Sequence, residues 1–160
     1  MKICIDISAV PYETGVSWYT RHLVSKLLEI DKTNEYILFG GSFRRKEDLR
    51  KYHITVPGNS VSKFYTFPPT LADLVWNRLH KLPIERFVGK IDVFHSSDWT
   101  QPPSNAYKVT TIHDLVPIRF PKMSDPKIVS VHKRRLKWVR QPTFCVCQCS
   151  GSIEAWLIAA

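Results

Sequence analysis

The chain has no apolar run approaching the ~20 residues that a bilayer-crossing helix needs. Its start, Met1-Lys2-Ile3-Cys4-Ile5-Asp6, is apolar but is broken by Asp6, and no signal-peptide core or small-residue cleavage site follows. That pattern reads as a protein that begins at Met1 and stays in the cytoplasm. A Gly-x-Gly-x-x-Gly fingerprint and a Gly-Lys-Ser/Thr P-loop are both missing, which excludes two glycine-based phosphate cradles. No zinc-finger spacing, helix-turn-helix signal or RNP-type aromatic motif is present. Nor is there an internal repeat or a low-complexity tract. Cysteine is limited to Cys4, Cys145, Cys147 and Cys149. Cys4 sits in an apolar strand-like run and reads as a small buried hydrophobe. The other three form Cys-x-Cys-x-Cys, whereas a zinc site wants Cys-x-x-Cys and a second pair, so no metal is assigned. Acidic residues are also few: 14 Asp plus Glu stand against 23 Lys plus Arg, a formal charge of +9. Such a balance favours anionic partners such as nucleic acid, anionic lipid or phosphorylated substrates, or simply confers solubility.

What the chain does contain is enough apolar material to fold. Of its 160 residues 44% are hydrophobic, which suits one domain with a sizeable core and not two full-sized ones. Lys2 to Ile7 reads as a buried strand of a parallel sheet. After a turn at Ser8 to Gly15, a helix is predicted over 16–30, with Tyr19, Leu23, Leu27 and Ile30 on one face. Tyr36 to Phe39 is a second strand, and the unit fits a right-handed βαβ crossover. Arg44 to Lys51 reads as a short charged helix, and His53 to Val56 as a weak third strand closed by Pro57-Gly58. Phe64 to Pro69 is a further short strand or extended segment. Thr70 is expected to cap a helix whose apolar stripe is Leu71, Leu74, Val75, Leu79 and Leu82, with Asp73 completing a variant capping box. Pro83 interrupts that helix or opens a short one through Val88. Asp92 to Ser96 and Lys108 to His113 are strands, the latter rich in β-branched residues. Asp125 to Arg140 is a basic amphipathic helix. The alternation predicts an α/β fold, a Rossmann-like open parallel sheet with helices on both faces.

In such sheets ligands bind beyond the carboxyl ends of the strands, which directs attention to three loops. The first, Ser8 to Gly15, places Gly15 just before a helix, where close backbone approach and N-terminal N–H groups attract anions; a plain turn glycine is the competing reading. The second, Ser96-Ser97-Asp98-Trp99-Thr100-Gln101-Pro102-Pro103, combines hydroxyls, a ring and a rigid proline pair. It suits a polyhydroxylated ligand, or is an ordinary solvated loop. The third is His113-Asp114. His113, at the end of a β-branched strand, can donate or accept near neutral pH, and Asp114 can orient a neighbour or cap the next turn. Gly15, Ser97 and His113 are expected to line one concave surface.

Taken together, Met1 to Asp6 followed by Thr14-Gly15-Val16-Ser17-Trp18-Tyr19-Thr20 resembles the opening of the group 1 (family 4) glycosyltransferases. Asn34 to Phe39, Asp92 to Ser96 and Thr110-Thr111-Ile112-His113-Asp114-Leu115 are similar to that family's later strands in order and spacing. The resemblance covers Met1 to about Arg140. It implies the N-terminal, acceptor-side half of a GT-B fold, whose second domain binds a nucleotide sugar. It implies retaining sugar transfer to a glycan or lipid-linked acceptor, with no cofactor beyond the nucleotide-sugar co-substrate and no metal. Carried over, Gly15 and Val16 lie against the donor, His113 hydrogen-bonds the transferred sugar, Ser97 binds substrate, and Asp114 supports. Trp18 departs from the arginine common in relatives. The family's Arg/Lys pair and Glu-x7-Glu motif belong to the second domain. Preorganised cations must stabilise the leaving diphosphate, so residues 1–160 alone are expected to be inactive.

The expected domain is 1–140, with 141–160 an anomalous tail. Relatives continue after residue 140 with a strand of the type Ala-Asp-x-Val-x-x-Val-Ser. Under one choice of synonymous codons, reading from the last base of codon 141 gives Ala-Asp-Phe-Leu-Cys-Val-Ser-Val, so a shifted frame is the hypothesis for the tail; the chosen codons and a divergent terminus are the competing explanations. Two further readings rest on the helix around Lys133, Arg134, Arg135, Lys137 and Arg140. One is a stand-alone basic nucleic-acid-binding module. The other is peripheral association with the inner face of a membrane, near lipid-linked acceptors. The transferase reading expects no nucleic acid partner.

Overall fold

The computed structural model describes residues 1–55, 60–139 and 143–147, with the backbone alone for 53–55 and 143–147. Six strands form one sheet: β1 (Lys2–Asp6), β2 (Glu35–Gly41), β3 (Ser60–Tyr65), β4 (Val93–Ser96), β5 (Tyr107–Ile112) and β6 (Thr143–Cys147). Their spatial order is β3-β2-β1-β4-β5-β6, and every pairing is parallel. Parallel neighbours require crossovers, and helices supply most of them: α1 (Gly15–Ile30), α2 (Lys46–Thr55), α3 (Pro69–Ala72) with a π-helical continuation at Asp73–Arg78, α4 (Glu85–Val88), α5 (Val116–Arg119) and α6 (Pro126–Val139). The Rossmann-like open sheet expected from the sequence is therefore what forms.

The sheet buries both faces, as a parallel sheet must. On one, Ile5, Ile7 and Leu38 pack with Val24 and Leu28 of α1 and Leu49 and Tyr52 of α2. On the other, Cys4, Phe39 and Phe94 pack with Ala72, Trp76, Ile84 and Val88. Burial pushes the Cys4 thiol well above its ordinary value, with smaller contributions from Asp6 and Glu85, so it stays a neutral apolar filler.

Several local expectations are corrected. Residues 53–55 close α2 rather than forming a strand; the third strand lies further on, at 60–65. Pro57-Gly58 lies outside the described residues. In α1 the buried positions are Ser17, Thr20, Val24 and Leu28, while Ile30 is exposed. Ser17 Oγ donates to the Val10 carbonyl and Thr20 Oγ1 to the Val16 carbonyl, so small hydroxyls, with their polar groups satisfied, take the closest approach to the sheet.

The largest correction concerns Leu71, Leu74, Leu79 and Leu82, which were expected to face the core and are instead exposed. Thr70 is not the cap, because α3 begins at Pro69 after Pro68. The helix turns its other face to the core: Ala72, Asp73, Trp76 and Asn77, spaced as one side of a helix, face inward, where the Trp76 indole donates to the Leu82 carbonyl and Asn77 Nδ2 to Asp73 Oδ1 and the Trp99 carbonyl. Further on, Leu79 N–H bonds the Leu74 carbonyl, five residues back, in a π turn. Asp73 forms no capping box; its Oδ1 accepts from Asn77 Nδ2 at 2.9 Å and its Oδ2 from Arg134 Nη2 at 2.7 Å.

Strand β6 falls within the stretch 141–160, and its backbone pairs in register with β5 from Lys108–Thr143 to Ile112–Cys147. The rest of that stretch lies outside the described residues, as does Cys149.

These two faces of one segment make opposite stability predictions. Trp76→Ala should lower the unfolding free energy by about 3–5 kcal/mol, as aromatic truncations in a packed core do. Leu71→Ser or Leu74→Ser should change it by no more than ~0.5 kcal/mol. Urea melts of the three variants check this, and a large loss for the leucines would mean the outward face is wrong.

Candidate functional site

Strand order reverses between β1 and β4, and the loops at their carboxyl ends diverge there. A pocket of about 430 Å³ opens at that place. Ser8, Ala9 and Tyr12 after β1 line it, with Thr14 and Val16 at the start of α1. Ser97, Asp98, Trp99 and Thr100 after β4 form another side. Gly41 at the end of β2 and Phe67, Pro69, Ala72 and Trp76 complete the wall. The lining is mainly apolar and aromatic, with a few hydroxyls and one carboxylate at the edge, the usual make-up of a small-molecule site.

The wall is built by tight local geometry. A side chain at Gly41 would collide with the Phe67 ring, so only glycine lets that ring close over the strand end. Gly41 N–H also donates to Ser8 Oγ at 2.8 Å, tying the β1 and β2 ends together. Beneath both loops lies Asp6, with 3% of its surface exposed. Its Oδ1 accepts from Ser8 N–H at 2.9 Å. Burial raises the Asp6 carboxyl above its ordinary value, while hydrogen bonds from Ser8 and Ser97 pull it back. On the β4 side, Ser97 Oγ accepts from Thr100 N–H at 3.2 Å, which folds the loop over itself.

Arg135 of α6 holds the same loop from below. Its side chain is fully buried, and its Nη2 donates to Thr110 Oγ1 at 2.6 Å and the Thr111 carbonyl at 3.0 Å. Its Nη1 reaches Asp98 Oδ1 at 3.4 Å, so a buried guanidinium anchors a carboxylate on the pocket edge.

A second, polar groove of about 400 Å³ adjoins this pocket and shares Pro69 and Trp99 with it. Arg78, Lys127 and Arg134 line it, with Thr70, Ser130 and Asp73. Burial works against the charge of Asp73, but hydrogen bonds from Arg134, Asn77 and Arg78 outweigh it and hold the carboxyl below its ordinary value. One carboxylate among three cations leaves the groove net positive.

Of the residues singled out from the sequence, Val16 and Ser97 meet in the apolar pocket. Gly15 is the exposed first residue of α1, with open space where a side chain would stand, and the neighbouring Thr14 caps the helix by accepting from Ser17 N–H at 3.3 Å. His113 directly follows β5 and packs edge-on against Tyr19, with ring centroids 4.7 Å apart. Asp114 Oδ1 accepts from Val116 N–H at 2.7 Å, so it caps the following turn. Gly15, His113 and Asp114 share the carboxyl edge of the sheet with the pocket without lining it. Phe67 and Trp76 were not foreseen as lining residues, and no local motif marks them; Tyr12 comes from the loop Ser8 to Gly15. The basic helix is also partly committed inward, since Arg135 is buried and Arg134 pairs with Asp73, leaving Lys133 and Lys137 exposed.

Next to His113 lies a small buried network. His95 Nε2 and Tyr19 OH each meet Thr111 Oγ1 at 3.1 Å. Burial, reinforced by the nearby His113 and Arg135, brings the His95 imidazole down from 6.5 to about 4, so it is neutral at pH 7.

The fold and pocket together define a Rossmann-like α/β domain with an open pocket at its topological switch point. Comparisons with protein-family models, with curated proteins and with solved structures give no match. Among the described residues no helix is long and apolar enough to cross a membrane.

The His95 shift sets a pH dependence. An imidazole depressed in the folded state takes up its proton more readily when unfolded, so stability falls as pH drops from 6.5 toward about 4. His80 and His132 are lowered in the same direction, chiefly by burial. His95→Gln should therefore flatten, without abolishing, the fall in melting temperature between pH 7 and pH 4.5. An unchanged slope would show that His95 does not carry the linkage.

Proposed function

We propose that this chain is the acceptor-binding domain of a retaining glycosyltransferase of the GT-B type. The observation that supports the reading best is the pocket at the switch point of a 3-2-1-4-5-6 parallel sheet. Its aromatic wall, Trp76, Trp99 and Phe67, suits the apolar face of a sugar ring. Its hydroxyls, from Ser8, Ser97 and Thr100, suit the ring's substituents. The adjoining groove of Arg78, Lys127 and Arg134 suits an acceptor that also carries a phosphate. The resemblance of residues 1–140 to the family adds the assignment of roles.

On this reading residues 1–140 form one wall of a two-walled cleft. A nucleotide sugar binds mainly to the other wall, which a second domain supplies together with the cations for the leaving diphosphate. His113, beside Tyr19 at the end of β5, is the group assigned to the transferred sugar. Sugar transfer with retention asks this wall to hold the acceptor hydroxyl against the anomeric carbon on the leaving-group face and to keep water out, tasks of positioning rather than of proton transfer.

Binding is testable with the chain as it stands. Intrinsic tryptophan fluorescence should change on titration with oligosaccharides or polyprenyl-phosphate sugars, and Trp99→Ala should weaken binding by about ten-fold, or ~1.4 kcal/mol. A response identical in wild type and Trp99→Ala would remove the pocket from consideration.

Activity gives an independent check. Residues 1–160 alone should transfer no sugar from any nucleotide donor. Once joined to a second domain of the GT-B type, the protein should transfer sugar, and His113→Ala should cut kcat by about 100-fold or more while leaving acceptor KM little changed. Transfer by the isolated chain would refute the division of labour.

A further inference from the structure

The outward face of the segment 69–82 is unusual for the surface of a folded domain. Leu71, Leu74, Leu79 and Leu82 are 47%, 43%, 54% and 50% exposed, within twelve residues of chain. The π turn puts Leu74 and Leu79 one turn apart, and His80 and Leu82 then take left-handed backbone, with φ of 48° and 59°. Ordinary residues avoid that region, yet the exposed Leu82 adopts it, and Trp76 Nε1 donates to its carbonyl at 3.0 Å. The Trp138 indole donates to the Asn77 carbonyl at 2.8 Å, and the His80 ring stacks on it at 3.8 Å. The leucines are thus held outward by a backbone pinned from inside.

The exposed charges around them are mostly positive, while Glu85 just beyond the segment is engaged with Ser104 and Asn105. Arg78 and Lys81 are exposed within the segment, and Lys127, Lys133 and Lys137 are exposed on α6, which packs against it. Of the nearby carboxylates, Asp73 is buried against Arg134, and Asp125 accepts from Lys127 N–H at the start of α6. Leucines in the middle and cations at the border match the layering of a bilayer surface with anionic headgroups, where chains lie inside and phosphates outside. A protein partner would need a matching acidic collar around an apolar groove, whereas an anionic membrane supplies both at once.

We propose that the face formed by Leu71, Leu74, Leu79 and Leu82, bordered by Arg78 and Lys81, docks the protein on an anionic membrane surface. The segment inserts its leucines below the headgroups while the cations contact phosphates. Its inner side, through Pro69, Ala72 and Trp76, walls the apolar pocket, and Leu74 and Arg78 line the cationic groove. Docking therefore sets both openings close to the lipid interface. The inference stands on the surface alone and does not need the transferase reading.

Co-sedimentation tests it with vesicles of phosphatidylcholine and of phosphatidylcholine mixed with phosphatidylglycerol. The protein should bind the mixed vesicles at least about ten-fold better than the neutral ones, and less well as salt rises. Leu74→Ser/Leu79→Ser should abolish most binding with an unchanged melting temperature, since both side chains are exposed. Arg78→Glu/Lys81→Glu should abolish most binding too, and Arg78→Gln/Lys81→Gln should weaken it without setting a second carboxylate beside Asp73. Lys26→Glu/Lys51→Glu makes the same change of net charge on α1 and α2, which pack on the other face of the sheet, and should retain most of it. Should the double leucine variant not fold, Leu79→Ser alone carries the test. The proposal is overturned if the wild type ignores anionic vesicles, if the leucine variant binds as well as wild type, or if the control pair loses as much as Arg78→Glu/Lys81→Glu. It is overturned equally if the leucine variant only converts a dimer to a monomer in gel filtration. Oligosaccharide binding to the pocket, read by Trp99, is measured separately and does not depend on any of these outcomes.

Discussion

Strand β1 must hydrogen-bond on both sides, to β2 through Lys2–Glu35 to Asp6–Phe39 and to β4 through Ile3–Val93 to Ile5–His95. Because all the pairings are parallel, the chain leaving β1 and the chain leaving β4 must return over the sheet before pairing again. They return on opposite faces: α1 packs with Ile5 and Leu38, and the segment 97–106 after β4 runs past Ile84 and Glu85, where Ala106 joins the other core cluster. No loop can then cover the end of β1 and the end of β4 together. The crevice is a consequence of topology, and its lining is what the sequence varies.

Filling that crevice partway is what the polar anchors accomplish. Asp6, Ser8, Ser97 and Arg135 are buried, half-buried or folded beneath the loops, and each is engaged with backbone or another polar group. A buried carboxylate and a buried guanidinium are costly unless satisfied, so the two loops have few alternatives to the geometry observed. Rigidity of the pocket edge follows from these costs, and preorganised edges waste less of a ligand's binding energy on ordering the protein.

Much of the sheet was legible because β1, β2, β4 and β5 are apolar or β-branched runs bounded by turn residues. The third strand was misplaced because β3 lies at an edge, where Val61 is exposed and serines and a lysine replace the apolar alternation. His53-Ile54-Thr55 looked strand-like in isolation, yet Leu49 and Tyr52 bury one helical face before it and carry the helix through. At the site, the hydroxyl and tryptophan loop after β4 could be read from composition. Phe67 and Trp76 could not, since Phe67 lies ahead of the helix and Trp76 sits on the face opposite the leucine stripe. Hydrophobic periodicity favours the face with more apolar residues, and here one buried tryptophan, flanked by polar groups that find partners, takes the core instead.

The π turn within Asp73–Arg78 also bears on how the segment takes a change of length. A π turn holds one residue more than an ordinary helical turn, so a deletion between Asp73 and Arg78 that closes it to about 3.6 residues per turn leaves the flanking residues in place, whereas an insertion finds no such slack. Which residue is lost decides the result, since Trp76 and Asn77 brace the core and the Gln101 backbone. The outer leucines, the stack of His80 on Trp138 and the pocket wall thus tolerate one residue fewer more readily than one residue more.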